Sequence, residues 1–175
     1  MRMDIRLLDS RDRAAFRGLR LIALGSDPES FMMTTEEERN VPRLMVEKFL
    51  DFPTSSSFFL GAFDEGEIKG MIGAIGSAYA KRRHIAEILS LYVHPNVRGR
   101  GIGRRLLGTA LDRVFSAPQI RRVKLSVVAS NMQAIALYQA FGFVECGREP
   151  DAYAIGERSW DLVDMSLGRP STMYA

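Results

Sequence analysis

The chain has 175 residues, of which 46% are hydrophobic and 26% are charged. This composition is that of a compact globular protein and excludes a disordered or fibrous one. Because 24 basic side chains are nearly balanced by 21 acidic ones, the net charge selects no polyanionic partner. We expect residues 1–170 to form a single domain, with residues 171–175 as a C-terminal tail.

The cysteine, the histidines and the apolar runs limit cofactors and location. Cys146 is the only cysteine, which excludes an intrachain disulfide and a thiolate-based structural zinc site. The two histidines, His84 and His94, lack a ligand pattern, so no metal is predicted. No apolar run reaches membrane-spanning length, and charges interrupt the N-terminus before a signal peptide can form. A cytoplasmic protein without membrane contact is therefore expected.

The first 50 residues predict one strand and two helices. The segment "DIRLLD" has a strand pattern, and Asp9 or Ser10 would cap a helix. The apolar residues of that helix recur at helical spacing: Phe16, Leu19, Ile22 and Ala23. Thr35 precedes Glu38 by three residues, which is the spacing of a capping box at a helix N-terminus. Pro42 would divide this turn from the following helix over residues 43–50.

Residues 57–115 predict three strands followed by an amphipathic helix. Two apolar runs separated by "DEGE" indicate a hairpin, with Gly66 available where a positive φ is needed. "AEILSLYVHP" is a strand that Pro95 ends, because proline has no N–H for the ladder. A helix over residues 102–115 would bury one face, made of Ile102, Leu106, Leu107, Ala110, Leu111, Val114 and Phe115.

The remaining residues predict a strand, a helix and two closing strands. "RVKLSVV" is the strand and "SNMQAIALYQAFGF" is the helix. Ser130 and Gln133 have capping-box spacing, and Gly142 suits the position after the helix. "FVECGRE" and "RSWDLVDMSL" are the closing strands.

The segment "RGRGIG", residues 98–103, joins the fourth predicted strand to a helix. Backbone N–H groups converge at such a helix N-terminus, and glycines let an anion approach them. A dinucleotide fingerprint is excluded because its third glycine would fall on Arg104 or Leu106. A P-loop is excluded because no Gly-Lys pair precedes Ser or Thr. We call residues 98–103 the glycine loop and predict an anion site of another kind there.

Arg98, Gly101 and Gly103 have the spacing Arg-x-x-Gly-x-Gly, which resembles the acyl-CoA pyrophosphate loop of the GNAT acetyltransferase superfamily. The family's second signature is an Asn near the start of the next helix, a Tyr seven residues later and then Gly-Phe. Here these are Asn131, Tyr138, Gly142 and Phe143. The resemblance covers residues 4–168 and is strongest over 86–145. It implies an α/β (α+β) fold with a mixed, mostly antiparallel sheet of about seven strands flanked by about four helices, splayed between strands 4 and 5.

The resemblance also implies that acetyl-CoA is the cofactor and lies in the splayed opening. Main-chain N–H groups of the glycine loop would bind the pyrophosphate, and Arg100 or Arg104 could reach the ribose 3′-phosphate. A backbone N–H around residues 91–93, where the family places a bulge, would meet the tetrahedral oxyanion. The implied cofactor residues are Leu91, Tyr92, Val93, Arg98, Gly99, Arg100, Gly101, Ile102, Gly103, Arg104, Asn131 and Tyr138.

Two residues are candidates for proton transfer. A lysine-like amine has a pKa of about 10, so a base should remove a proton before the amine attacks, and the resemblance suggests Glu87. The alternative is an exposed strand-end carboxylate paired with a cation such as Arg83. The resemblance implies that Tyr138 donates to the departing CoA thiolate, and the alternative is a core tyrosine on an amphipathic helix.

The resemblance places the acceptor amine between residues 25–38 and 150–161. Several carboxylates there could attract a cation: Glu29, Glu36, Glu37, Glu38 and Asp161. Met32 and Met33 add apolar contact, and helix capping explains the carboxylates of residues 36–38 equally well. The candidate substrate-binding residues are Glu29, Phe31, Tyr153 and Trp160.

The sequence therefore predicts an acetyl-CoA-dependent N-acetyltransferase. It would move an acetyl group to a primary amine, of a small molecule, a protein N-terminus or a lysine, by direct attack in a ternary complex. The alternative is a non-catalytic acyl-CoA-binding regulatory module. Nucleic-acid binding ranks below both, because no helix-turn-helix or aromatic RNA-binding signature is present. The expected partner is the amine substrate, and a homodimer is compatible with such folds.

Overall fold

The computed structural model describes residues 3–170, so the predicted tail at 171–175 lies outside the described residues. Within this range, seven strands form one sheet in the order β1-β2-β3-β4-β5-β7-β6. The strands are β1 Asp4–Leu7, β2 Phe58–Asp64, β3 Glu67–Gly76, β4 Ile85–Val93, β5 Arg122–Val128, β6 Val144–Ile155 and β7 Arg158–Gly168. β4 and β5 pair in parallel, and the other neighbours are antiparallel. The predicted mixed sheet is confirmed.

Five α-helices accompany the sheet in residues 3–170. They are α1 Arg13–Ser26, α2 Thr35–Asn40, α3 Lys48–Asp51, α4 Ile102–Ser116 and α5 Met132–Ala140. The predicted single helix over residues 43–50 is wrong, because a 3₁₀ turn at Met45–Glu47 precedes the short α3. The buried Glu47 carboxylate accepts the N–H of Leu44 at 3.3 Å, which favours this tight turn. None of the helices in the described range is long and apolar enough to cross a membrane.

Helix α1 departs from its predicted apolar face at one position. Asp9 caps a 3₁₀ turn at Ser10–Asp12 that runs directly into α1. Ile22 is 46% exposed, whereas Arg20 is only 7% exposed. The buried face of α1 consists of Phe16, Leu19, Arg20, Ala23 and Leu24. Assigning Ile22 to this face was wrong because a buried arginine takes an inward position that apolar patterning does not detect.

The capping box of α2 lies one residue earlier than predicted. Thr34, not Thr35, is the cap: its Oγ1 accepts the Glu37 N–H at 3.2 Å, and the Glu37 carboxylate accepts the Thr34 N–H at 2.7 Å. Glu38 does not serve the box because its carboxylate is fully buried against Arg20. The predicted partner was therefore wrong by one residue.

The sheet separates two apolar clusters. The larger lies between the sheet and α4, and it buries the whole predicted apolar face of that helix. The smaller lies between the sheet and α1, where Phe16 packs edge-on against Phe59 with ring centroids 4.9 Å apart. Both faces of the sheet centre are therefore covered, and its interior strands are apolar on both sides.

The strands β4 and β5 separate after a short paired stretch. Residues 85–87 pair with residues 122–124, and the register between the two strands ends there. Both strands continue past this point, to Val93 and Val128. The predicted splay is confirmed, and it leaves an opening between the two strands.

A bulge interrupts β4 inside this opening. Leu89 lies opposite Gly73 and Tyr92 opposite Met71, so β4 contains one residue more than β3 across the same distance. Ser90, within the bulge, has a φ of +56°. The irregular backbone therefore begins just before residues 91–93, the stretch where the oxyanion donor was expected.

Candidate active site

Two adjoining cavities occupy the opening between β4 and β5. The outer cavity has a volume of about 360 Å³ and is bordered by the end of α1, the exit of β4, the glycine loop and α5. The inner cavity has a volume of about 130 Å³ and lies between the separated parts of β4 and β5. The linings share Ser30, Phe31, Leu91, Asn131 and Ala134, so the two cavities lie side by side. Of the predicted cofactor residues, all except Arg100 line one cavity or the other.

The glycine loop borders the outer cavity with exposed backbone. Gly99 has φ +76° and Gly101, the cap of α4, has φ +73°, and no atom lies within 4 Å of a Cβ placed on either. Backbone conformation rather than space therefore requires glycine at both positions. The first helical bond runs from the Arg105 N–H to the Gly101 carbonyl at 3.0 Å. The N–H groups of residues 102–104 precede that ladder and are suited to bind an anion.

The arginines of this region have different surroundings. The Arg98 guanidinium donates from Nε to the Val93 carbonyl at 2.9 Å and from Nη2 to Asp27 Oδ2 at 2.6 Å. Arg104 lines the outer cavity, with its guanidinium carbon 5.1 Å from the centroid of the Phe141 ring. Of the two candidates for the 3′-phosphate, Arg104 borders the cavity and Arg100 lies outside both linings.

Helix α5 contributes Asn131 and Tyr138 to the inner cavity. Asn131 caps the helix by accepting the Ala134 N–H at 3.1 Å, so the predicted cap at Ser130 was wrong by one residue. Asparagine and serine are equally good caps, which makes the choice hard from sequence. The two residues are seven apart, about two helical turns, and this spacing brings both to the same cavity.

Tyr138 is 7% exposed and lines the inner cavity. Its ring packs edge-on against Phe143 with centroids 5.8 Å apart. Burial raises the pKa of the phenol to about 12, so the group is neutral and protonated at physiological pH. Tyr138 is thus a core residue by its ring and also part of the wall of the inner cavity.

Glu87 lies outside both linings, contrary to the expectation that β4 carries it to the cleft. Its side chain is 60% exposed, and Oε1 lies 3.4 Å from Nη2 of Arg82. Successive strand residues point to opposite faces, and its neighbours Ala86 and Ile88 take the buried side. The surroundings match the alternative of a strand-end ion pair, with Arg82 in place of Arg83.

Of the four candidate substrate-binding residues, one lines the cavities and three do not. Phe31 lines both cavities, whereas Glu29 lies outside the linings, in the 3₁₀ turn Pro28–Ser30. Tyr153 and Trp160 face each other across the β6–β7 hairpin, outside both linings. Among the other carboxylates, Glu38 is buried in an ion pair with Arg20, so it cannot attract an amine from solvent as expected.

Two polar residues near the cavities, Asp27 and Asp164, and the contact that Ser90 makes with Arg20 were not found from sequence. Asp27 lines the outer cavity and binds Arg98, while Ser90 in the β4 bulge accepts from Arg20 at 3.0 Å. Asp164 on β7 accepts from Ser126 at 2.5 Å, and Ser126 lines the inner cavity. Each partner is distant in sequence, so no local pattern marks these pairs.

The model of the acetyltransferase (GNAT) family matches residues 26–143. YwnH of Bacillus subtilis, whose name marks it as a candidate phosphinothricin acetyltransferase, is 26% identical over 163 residues, covering 91% of the chain and 95% of YwnH. Spermidine N(1)-acetyltransferase of Vibrio cholerae is 29% identical over 99 residues, covering 57% of each chain. The chain spans 18% and 27% of two further curated relatives.

Solved structures show the same fold. A GNAT superfamily phosphinothricin acetyltransferase from Sinorhizobium meliloti, in complex with AcCoA, superposes with a TM-score of 0.80 at 22% identity, covering 96% of this chain and 89% of that one. A GNAT-family acetyltransferase from Streptococcus pneumoniae has a TM-score of 0.79 at 24% identity, covering 96% and 100%.

The splayed mixed sheet, with the glycine loop at the start of α4, is the architecture that the resemblance to the family predicts. With a family model that matches residues 26–143, the chain belongs to the acetyltransferase (GNAT) family. The predicted resemblance to this family is thereby confirmed.

Proposed function

We propose that the protein is an acetyl-CoA-dependent N-acetyltransferase that acetylates a primary amine by direct attack in a ternary complex. The observation that carries the proposal is that the two cavities adjoin and share five lining residues. The glycine loop borders the outer one, and Tyr138 and the β4 bulge border the inner one. A single extended thioester can therefore bind its phosphates at one end and present its acetyl group at the other.

The coenzyme would be bound chiefly by backbone. The N–H groups of residues 102–104 and the positive end of the α4 dipole would receive the diphosphate. Arg104 would supply charge at the rim. The pantetheine arm would run beside the exit of β4, where β5 no longer pairs, and would accept and donate backbone hydrogen bonds as an added strand does.

The chemistry would take place at the inner cavity. The neutral amine nitrogen attacks the thioester carbonyl carbon, and the carbonyl oxygen becomes an oxyanion that a backbone N–H near the β4 bulge stabilises. The C–S bond then breaks, the sulfur takes the phenolic proton of Tyr138, and the proton that the nitrogen loses as the amide forms returns to the phenolate. Because burial raises its pKa to about 12, Tyr138 is protonated before this step.

Glu87 remains the proposed base, which removes a proton from the substrate ammonium before the neutral amine attacks. Because its exposed side chain lies outside the cavity linings, it would act through a chain of water molecules. Holding amine and thioester together would supply a large part of the rate, so a weak or distant base suffices.

The acceptor would approach from the side of α1 and α2, where Phe31 lines both cavities. Names of relatives support an amine: one is a spermidine acetyltransferase and another acetylates the alanine of ribosomal protein bS18. These acceptors differ in size, and both attack through an amino group. We therefore propose an amine as the substrate class.

The test is release of CoA thiol from acetyl-CoA in the presence of polyamines, free amino acids and peptides with free N-termini. Release that depends on one class of amine supports the proposal. Binding of CoA without release for any amine would instead support the alternative, a non-catalytic acyl-CoA-binding module.

A further inference from the structure

Arg20 connects the acceptor side of the fold to the bulge in β4. Its Nε and Nη2 atoms donate to the two carboxylate oxygens of Glu38 at 2.8 and 2.7 Å, and its Nη1 donates to Ser90 Oγ at 3.0 Å. Arg20 is 7% exposed and Glu38 is fully buried. We name Arg20, Glu38 and Ser90 the Arg20 network.

The orientation of the Arg20 guanidinium is fixed before it reaches the bulge. A planar guanidinium that binds both oxygens of one carboxylate has little freedom to turn. Glu38 is held in turn, because its backbone carbonyl accepts from Arg17 Nη2 at 2.9 Å and so ties α2 to α1. The remaining donor, Nη1, is thereby directed at Ser90.

Ser90 needs such support because its φ of +56° is one that L residues rarely adopt. Strained backbone of this kind persists where the surrounding contacts hold it. A buried ion pair seldom adds to stability over apolar packing of the same volume, so stability alone gives little reason for this one. A polar contact that reaches the bulge gives the arginine a specific role.

Arg20 also contacts the wall of the acceptor side. Its guanidinium carbon lies 5.8 Å from the centroid of the Phe31 ring, and Phe31 lines both cavities. Ser90 itself lines the inner cavity. The network therefore connects Phe31, on the acceptor side, to the β4 backbone at Ser90, beside the proposed position of the thioester.

We infer that the Arg20 network is a positioning device, which holds the β4 bulge in the geometry that acetyl transfer requires. Arg20 acts through Ser90 and touches neither reactant. The inference rests on the proposed function for its kinetic consequence, whereas its structural consequence is independent of that function.

Three variants and one matched control test the network. Ser90→Ala and Ser90→Gly both remove the Oγ acceptor, and glycine also relieves the φ strain, so together they separate the contact from the strain. Glu38→Gln weakens the ion pair. Asp51→Asn is the control: this partly buried carboxylate is also bound by an α1 arginine, Arg13, at 2.5 Å, and within residues 3–170 the pair has no direct hydrogen bond or ion pair to Arg20, Glu38 or Ser90.

We expect Ser90→Ala, Ser90→Gly and Glu38→Gln to lower kcat by about tenfold or more, since misplacing reacting groups by an ångström costs about a hundredfold. The Kd for CoA should stay within about threefold, because the glycine loop is untouched. Asp51→Asn should change kcat less than about threefold even where its melting temperature falls as far as that of Glu38→Gln.

Amide hydrogen exchange over residues 88–92 is measured on the same proteins, as a readout that needs no turnover. The network predicts faster exchange in Ser90→Ala and Glu38→Gln and unchanged exchange in Asp51→Asn. Wild-type exchange in Ser90→Ala, or equal loss of kcat in Asp51→Asn, would overturn the inference. Absence of turnover in the wild type would contradict the proposed function, and the exchange result would still decide on the network.

Discussion

Asp27 Oδ2 lies 2.6 Å from Nη2 of Arg98, so an acidic residue at the end of α1 holds the arginine of the glycine loop. Ser26 Oγ lies 2.6 Å from the same carboxylate and 2.8 Å from the Tyr92 hydroxyl. The hydrogen bond from Arg98 to Asp27 also raises the pKa of the guanidinium. Arg98 therefore anchors the loop and neutralises an acid that lines the outer cavity.

Replacing Arg98 by Met should raise the Kd for CoA by about tenfold or more, or about 1.4 kcal/mol. The change removes the tether and leaves the Asp27 carboxylate to repel the phosphates. Adding Asp27→Asn should recover part of the loss, and the recovery should shrink at high salt, where repulsion is screened. Calorimetric titration with CoA at two salt concentrations measures both effects. A double variant that binds no better than the single one would exclude the repulsion.

Replacing Gly101 by Ala should lower the free energy of unfolding by about 1–2 kcal/mol, because φ is +73° there. The same change at Gly99, with φ +76°, should have a similar effect. Gly18 is the control: it lies within α1 with no atom within 4 Å of an added Cβ. Gly18→Ala should stabilise the protein by about 0.5–1 kcal/mol. Urea unfolding distinguishes these results, and equal effects at all three sites would contradict the account of the loop.

Replacing Tyr138 by Phe should lower kcat by about a hundredfold while changing the KM for acetyl-CoA little. The phenol would act on the departing thiolate, whereas the coenzyme is bound mainly by the glycine loop. Steady-state rates of thiol release measure this. Full turnover in the variant would show that Tyr138 serves only the core.

Tyr138 should also make stability depend on pH above neutrality. Burial raises its folded-state pKa from 10.0 to about 12. Because the folded-state pKa is raised, the buried neutral phenol contributes fully to the free energy of unfolding below a pH of about 10. This contribution falls by about 3 kcal/mol in all as the pH rises from about 10 to 12. The Phe variant lacks this term, so its unfolding free energy should fall less over that range. Parallel curves for the two proteins would contradict the burial of a neutral phenol.

Replacing Glu87 by Gln should lower kcat/KM by about tenfold at neutral pH and weaken the acidic limb of the pH profile. The effect is expected to be modest because an exposed carboxylate would act through water. Asp164→Asn is the comparison, since that carboxylate lies beside Ser126 at the inner cavity. If Asp164→Asn changes the acidic limb and Glu87→Gln does not, Asp164 is the group that receives the proton.

The coenzyme side of the site is predictable because its signals are local in sequence. The loop glycines and the α4 apolar face lie within one continuous segment, and the spacing of Asn131 and Tyr138 follows from helical geometry. The acceptor side depends on contacts between distant residues. Arg20 reaches Ser90 across 70 positions and Arg98 reaches Asp27 across 71. Hydrophobic periodicity does not detect such pairs, and in the pattern of α1 it assigns the buried arginine to the exposed face.

Glu87 and the β6–β7 hairpin show a second limit of prediction from the sequence. Alternation along a strand tells that Glu87 lies on the opposite face from Ala86 and Ile88, but it does not tell what covers that face. In the structure that face is open at Glu87, and Arg82 is the nearest ion-pair partner. Tyr153 and Trp160 pair with each other across the β6–β7 hairpin. Whether they reach the cavities depends on the length of this hairpin and on the bulge in β6, which the sequence pattern does not give.

Acetylated amine and free CoA thiol should be quantified together, by mass spectrometry and thiol titration, in one reaction with acetyl-CoA and the best amine from the panel. The account predicts one acetyl amide for each thiol released in the wild type, and about a hundredfold slower formation of both in Tyr138→Phe. Thiol release without acetylated amine, or equal rates in the two proteins, would contradict direct transfer at the inner cavity.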